Sequence, residues 1–358
     1  MSEELPFEPS ALGEDEVGVE KSLRPSRLEE FIGQPRVVDN LRIAIETARA
    51  RGDVLDHILF SGMPGLGKTT LSYLIARSMG VEMHQTSGPA LERGKDIVGT
   101  LTRMARGDVF FIDEIHRISR EVEEYLYSAM EDYCVDIVID PGADARVLRI
   151  PVQPFTLVGA TTREGLLSAP FRGRFGIVEK LEPYPEAELT QIISRSAGLL
   201  SCRIDDEPAR RLARSSRGTP RYANRFLRRI RDVAQYRAAL ERGPERGPTG
   251  VDEPLPLPME AIEEGLERLG VDEHGLDRVD RRILEVLLGS DEPVGVKTIA
   301  VSVGEEERTI EDVYEPYLIQ RGMLVKTSRG RRASPRAIEL YDRGRAGPRQ
   351  GEFSFGTS

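Results

Sequence analysis

Apolar residues fall into two rhythms along the chain. Residues 36–51 place Val37, Leu41, Ala44, Ile45 and Ala48 three or four apart, which predicts a helix with one buried face. His57–Ser61 is a short apolar run instead, and Asp108–Ile112 and Phe155–Ala160 repeat it. Such runs predict strands buried on both faces. Helices are predicted at Thr69–Met79 and Arg120–Tyr133. Strands alternating with helices predict an α/β domain on a parallel sheet. Val135–Asp140 and Arg146–Val152 alternate around Pro141–Gly142, which predicts a hairpin. Its apolar face would carry Val135, Ile137, Ile139, Val147, Ile150 and Val152 and pack on the core, leaving a tip free to hold a partner.

Beyond Glu182 the pattern turns helical and Arg-rich. Glu186–Leu200, Glu207–Arg217 and Pro220–Leu240 predict a small helical domain, and Met259–Leu269 a further helix. Residues 241–258 are dense in Pro, Gly and charge, and read as a loop or linker. Helical spacing returns at Leu276–Leu288, with Val279, Ile283, Val286 and Leu287, then at Val296–Val303 and Gly304–Arg321. Two short strands, Met323–Lys326 and Arg331–Ser334, flank Ser328-Arg329-Gly330. Three helices and a hairpin predict a winged helix, with Lys326, Arg329, Arg331 and Arg332 clustered at the wing. The expected division is a disordered acidic arm (1–20), a large α/β domain (21–182), a helical domain with an insertion at 241–258 (183–270), a winged helix (271–342) and a disordered tail (343–358).

Composition narrows this picture. A chain of 358 residues with 39% apolar and 31% charged residues fits a soluble, multi-domain protein. No apolar run approaches the length of a membrane span. The first twenty residues hold seven acids and no Lys or Arg, unlike a secretory or transit peptide, so a cytoplasmic location is expected. Cys134 and Cys202 lack metal-ligand spacing and read as buried thiols. The net charge of −10 argues against nucleic acid, but residues 317–345 hold eight Lys or Arg against two acids. Binding patches are local, so the distribution outweighs the sum.

Gly62-Met63-Pro64-Gly65-Leu66-Gly67-Lys68-Thr69 follows an apolar strand and opens a helix, the context of a phosphate-binding Walker A loop. Glycines let backbone N–H groups turn toward phosphate, and the helix N-terminus favours the anion. Lys68 supplies a charge at the β/γ-phosphates, and the Thr69 hydroxyl can reach Mg²⁺. Val109–Asp113 ends in Asp113-Glu114, a Walker B pattern. Asp113 would reach Mg²⁺, and Glu114 would polarise the attacking water. Gly159-Ala160-Thr161-Thr162-Arg163 ends the next strand. Thr162 is the better candidate there for the γ-phosphate or lytic water, with Thr161 close behind. An Arg of Phe171-Arg172-Gly173-Arg174-Phe175 could act on a neighbour's ATP.

With these motifs in order the chain resembles the AAA+ ATPases, and within them the RuvB family. The resemblance runs from about Leu23 to Ala333. Its specific blocks include Leu23-Arg24-Pro25, Phe31-Ile32-Gly33-Gln34, Thr86-Ser87-Gly88-Pro89, Asp113-Glu114-Ile115-His116-Arg117, Arg217-Gly218-Thr219-Pro220-Arg221 and Ile310–Gln320. It implies a hexameric ATP-driven ring around duplex DNA that drives Holliday junction branch migration. A RuvA-type junction-binding protein, docked on the 135–152 hairpin, and a RuvC-type resolvase would be its partners.

The resemblance also implies roles. Leu23 and Arg24 would line the adenine and ribose side, with Phe31 and Ile32 against the base. Gly65, Gly67, Lys68, Thr69 and Thr70 would hold the phosphates of ATP or ADP. Glu131, Asp132 and Tyr133 would lie near the nucleotide, Arg174 would be the arginine finger, Tyr184 would close over the site, and Arg221 would be the second sensor. DNA contacts would fall on Lys326 and Arg331, with Arg329 at the wing tip. Lys326 stands where the family usually has Arg, Phe31 for a usual Tyr, and Met63 for a common Pro. Glu92–Asp96 departs from the usual loop. The residues alone leave an initiator-type ATPase, a clamp-loader subunit and a non-hydrolysing scaffold open; the hairpin and the Ile310–Gln320 block favour the motor.

Overall fold

The three predicted apolar strands form the centre of a five-stranded sheet in the computed structural model, which describes residues 22–138, 147–242 and 254–345. They are β1 (Ile58–Ser61), β3 (Val109–Asp113) and β6 (Thr156–Thr161). The edges are β2 (Met83–Ser87) and β7 (Ile177–Lys180), and the order β2-β3-β6-β1-β7 is parallel throughout. Every residue of β1 and β6 is buried. The two edge strands are half-exposed and carry no apolar run, so hydrophobic pattern alone does not predict them. The registers set Ser61 opposite Thr161, and Asp113 opposite Ser87. The carboxyl ends of β1, β3 and β6 therefore share one edge, where open parallel sheets bind ligands.

Helices cover the sheet as the spacing predicts. α1 (Pro35–Arg51) starts on a proline and ends at Gly52 in the left-handed conformation. It buries Val37, Leu41, Ile45 and Ala48; Val38 joins them, and Ala44 is only half-buried. α2 (Lys68–Met79) opens one residue earlier than predicted. α3 (Gly94–Leu101) is an unpredicted helix, and α4 (Arg120–Glu131) is capped by the Ser119 hydroxyl, which accepts the Val122 N–H. Ile97, Leu101, Leu126 and Ala129 from α3 and α4 meet Phe110, Ile112 and Leu157 from the sheet in one buried cluster.

The predicted hairpin is present as β4 (Cys134–Val138) and β5 (Val147–Pro151), antiparallel; its Pro141–Gly142 turn lies outside the described residues, as does the arm of residues 1–20. Val135 and Val152 anchor it in the core. The register pairs Val135 with Ile150 and Ile137 with Leu148, so Leu148, and not Val147, shares the face of Ile150. Leu148 is exposed.

The short helix α5 (Ala169–Arg172) precedes β7. The helical domain follows, as α6 (Glu186–Leu199), α7 (Asp206–Ser215) and α8 (Pro220–Arg242). The 241–258 segment departs from a plain linker at its end. There β9 (Leu255–Pro256) pairs in parallel with β8 (Cys202–Arg203), and Leu257 is buried. Cys134 and Cys202 are free and buried, as expected. α9 is Met259–Arg268, and the close approach of Gly265 to Ile230 of α8 leaves no room for a Cβ.

The chain divides into two units, Met1–Gly265 and Leu266–Ser358. The second contains α10 (Arg278–Leu288), α11 (Val296–Val303), a third helical segment, the hairpin β10 (Leu324–Thr327) with β11 (Gly330–Ala333), and α12 (Pro335–Arg345). This is a winged helix, and α12 runs three residues into the segment expected as tail. The third helix is not regular. Glu307–Thr309 and Glu315–Gln320 are α-helical, but Ile310–Tyr314 between them is π-helical. Pro316 has no N–H to give to the preceding turn, and a π-bulge absorbs the break. Tyr314, Tyr317 and Leu318 still reach the core around Ile283, Leu287 and Ile299.

Lys326 is paired with Arg331 across the wing, so both share its inner face. They meet Glu315, which is buried. Glu315 lies 3.0 Å from Lys326 and 2.8 Å from Arg331, and Arg331 also reaches Glu311 at 3.0 Å. Arg331, expected as a surface phosphate contact, is thus turned inward with 9% of its side chain exposed. Arg329 and Arg332 are exposed. Removing one member of a buried ion pair leaves the other charge unsatisfied. Glu315→Ala should therefore destabilise the winged helix by about 3 kcal/mol. Hydrogen exchange in β11 and Ile310–Tyr314 reads this directly, and unchanged protection there would show the pair to be dispensable.

Candidate active site

The Walker A loop forms because its glycines adopt backbone angles that other residues resist. Gly65 has φ +84° and Gly67 φ +104°, and both belong to the left-handed region. A side chain at Gly65 would also strike Arg221, and one at Gly67 would crowd Phe31. The loop is therefore packed closely against residues of two distant segments. Lys68, first residue of α2, is buried and donates to the carbonyls of Gly62 (2.7 Å) and Met63 (2.9 Å). Burial pushes its ammonium down to about 8, against the pull of the Asp113 and Glu114 carboxylates; Arg221 adds to the depression.

A cleft opens at the carboxyl edge of the sheet, between the loop and the helical domain. Leu23, Arg24, Phe31, Ile32, Gly65, Gly67, Lys68, Thr69, Thr70, Asp113, Glu114, Tyr184 and Arg221 line it, all of them predicted. Tyr184 donates from its hydroxyl to the Leu66 carbonyl at 3.1 Å, and burial raises its pKa, so it stays a neutral donor. Pro25 and Pro220, which belong to motif blocks but have no predicted role, also line it, and residues outside any motif complete the wall: Glu30, Ile192, Arg195 and Asn224. Arg195 donates to the Leu23 carbonyl at 2.9 Å and lies 3.8 Å from Glu30. Asn224 stands one helical turn after Arg221 on α8, and that spacing was the available signal.

The remaining predicted residues are not in this cleft. Thr161 is fully buried and accepts the Arg163 N–H at 2.9 Å, whereas the shielded Thr162 hydroxyl makes no hydrogen bond. Arg174 lies elsewhere. It pairs with Glu131 (3.0 Å), donates to the Pro170 carbonyl (2.8 Å) and stacks over the Tyr127 ring at 4.2 Å. Asp132 pairs with Arg149 of β5. Glu131, Asp132 and Tyr133, expected near the nucleotide, do not line this chain's own cleft, and of the three it is Glu131 that pairs with Arg174.

Residues 23–181 match the family model described as the Holliday junction DNA helicase RuvB P-loop domain. Residues 184–241 match the RuvB AAA lid domain, and 273–342 the RuvB C-terminal winged helix domain. The chain belongs to the RuvB family. The Holliday junction branch migration complex subunit RuvB of Kosmotoga olearia is 50% identical over 337 residues, covering 94% of each protein. That of Myxococcus xanthus is 50% identical over 329 residues, covering 91% of this chain and 92% of the relative. The solved structure of the Thermotoga maritima RuvB Holliday junction branch migration motor is 43% identical, with a TM-score of 0.78, over 90% of this chain and 98% of the other. This chain is therefore a nucleotide-binding AAA+ ATPase with a lid and a winged helix.

Lys68 gives a pH test of the site. Below about pH 8 the ammonium is charged and ready for phosphate; above it the free chain loses the proton. Phosphate raises the pKa again, so binding above pH 8 must take up a proton and affinity falls as pH rises. Calorimetry at pH 8.5 in two buffers of unlike ionisation enthalpy should show proton uptake on ATP binding. A Lys68→Arg chain, which keeps its charge, should show none. Equal, proton-free binding in both chains would overturn the assignment.

Proposed function

We propose that this chain is one subunit of a homohexameric ring that uses ATP to pull duplex DNA and so drives Holliday junction branch migration in recombination and repair. The observation that carries it is the split of the ATPase machinery. One cleft holds Lys68, Asp113, Glu114 and Arg221, while Arg174, paired with Glu131, lies outside it. A finger that does not serve its own site serves a neighbour's, and neighbours in turn close a ring.

Lys68 and the loop N–H groups bind the phosphates. Glu114 orients a water on the γ-phosphorus and accepts its proton as the β–γ bond breaks. Thr162, outside the lining of the cleft, turns its shielded and unpartnered hydroxyl toward the γ-phosphate or this water when nucleotide binds. Arg174 of the adjacent subunit stabilises the developing charge. Tyr184 and Arg221 link nucleotide state to the lid. The Thr69 hydroxyl and Asp113 carboxylate line the same cleft, a hard-oxygen set that suits Mg²⁺. These two residues would hold the ion, which would supply positive charge to the phosphate oxygens.

Lys326 and Arg329 on the wing contact DNA phosphates, giving the sequence-independent grip that translocation needs. Arg331 supports the wing from its inner face. The exposed Leu148 strand edge of the hairpin favours docking of a RuvA-type junction-binding protein, and a RuvC-type resolvase acts on the same junction. Among the described residues no helix is long and apolar enough to cross a membrane. A cytoplasmic location belongs to this reading.

ATP-dependent unwinding of a synthetic four-way junction tests the function. It should require the junction-binding partner, and no movement with that partner present would refute it. Subunit sharing has its own test. Arg174→Ala and Lys68→Ala chains, each inactive alone, should regain part of the ATPase when mixed. No recovery at any ratio counts against action in trans.

A further inference from the structure

His116 has no role in the reading above, yet it joins two of its parts. Its imidazole is enclosed, with 1% of the side chain exposed. Nδ1 lies 2.9 Å from the Thr161 hydroxyl, and Nε2 lies 3.4 Å from a carboxylate oxygen of Glu114. The Thr161 hydroxyl already accepts the Arg163 N–H, so its own proton is free to go to Nδ1. That leaves the neutral ring protonated at Nε2, the nitrogen that faces Glu114. The Glu114 backbone is held in the left-handed conformation (φ +50°), closed by an Arg117 N–H to Glu114 carbonyl bond of 2.9 Å. Such strain in a non-glycine residue persists only where surrounding structure fixes it.

Thr161 also reaches the phosphate loop. Its carbonyl accepts the Gly62 N–H at 3.1 Å, and the Gly62 carbonyl accepts the Lys68 ammonium. A hydrogen-bonded path therefore runs from Lys68 through Gly62 and Thr161 to His116, whose Nε2 comes to 3.4 Å from Glu114.

We propose that His116 is a positioning residue that sets the Glu114 carboxylate for hydrolysis, with Thr161 fixing the imidazole tautomer. A flexible glutamate side chain needs an orienting group to act as a base, and contacts of this kind tighten in the substrate complex. The inference rests on Glu114 being the water-polarising group.

The test uses the full chain with kcat, KM and binding of a fluorescent ATP analogue as readouts. His116→Leu should lower kcat about 10- to 100-fold and leave nucleotide affinity within about twofold. His116→Gln keeps an acceptor toward Thr161 and a donor toward Glu114, and should recover most of that loss. Thr161→Val leaves the imidazole in place but removes the proton donor, and should lower kcat in the same direction; it carries the test if the leucine variant fails to fold. Single-turnover rates of Glu114→Gln should not fall further when His116→Leu is added. Wild-type kcat in both His116→Leu and Thr161→Val, or a further multiplicative loss in the double variant, would overturn the inference. Normal hydrolysis by Glu114→Gln would instead refute the reading of Glu114 on which it rests.

Discussion

The structure of the ATPase domain is organised around one buried positive charge. An ammonium inside a protein loses its water, and lowering Lys68 from 10.5 to about 8 corresponds to on the order of 3 kcal/mol of penalty. The fold keeps that charge at the sheet edge by giving it carbonyls of the same loop and by placing Asp113 and Glu114 within its field. Those carboxylates are there because β3 and β1 end on the same edge, flanking β6. The parallel order of the sheet is thus what makes a phosphate-ready lysine tolerable. Phosphate completes the arrangement by supplying the anion that the burial anticipates.

How much was legible in sequence follows from how local each signal is. The phosphate loop, β1, β3 and β6 were readable because their requirements are short-range: glycines at positive φ and apolar runs buried on both faces. The edge strands β2 and β7 were missed for the complementary reason. Each has a neighbour on one side only and half-exposed side chains, so Met83–Ser87 and Ile177–Lys180 carry no apolar run. Cleft residues such as Ile192 and Arg195 are set by how the helical domain packs, which periodicity does not encode. The family resemblance supplied Arg174, Tyr184 and Arg221, whose roles depend on distant partners.

The winged helix shows the opposite failure, a cation read as surface charge that is in fact internal. A basic wing in sequence does not say which side of the hairpin each residue takes. The antiparallel register does: Lys326 and Arg331 are directly opposed, so one face carries both, and that face meets the buried Glu315. The π-bulge ahead of Pro316 itself supplies Glu311, and the α-helical turn that follows it supplies Glu315. Proline, register and buried acid together decide that Arg329 and Arg332 face solvent while Arg331 does not.

Arg174 and Arg331 are both arginines held by glutamates, and their surroundings give them different uses. Glu131 is 59% exposed, so its pair with Arg174 is a surface ion pair, contributing under about 1 kcal/mol. Stacking on Tyr127 adds about the same at most. The guanidinium Nε is buried and makes no hydrogen bond, so its present setting is incompletely satisfied. Charge stabilisation by an arginine finger in a transition state corresponds to roughly 4–7 kcal/mol. On the proposed role of Arg174, the hydrolysis transition state on an adjacent subunit would outweigh these resting contacts several-fold in energy. Arg331 faces the reverse balance. Leaving a buried carboxylate behind would cost about 3–5 kcal/mol, more than a solvent-exposed phosphate contact returns. In that proposed role Arg174 is held by contacts weak enough to give up, whereas Arg331 is fixed as part of the frame that presents the wing.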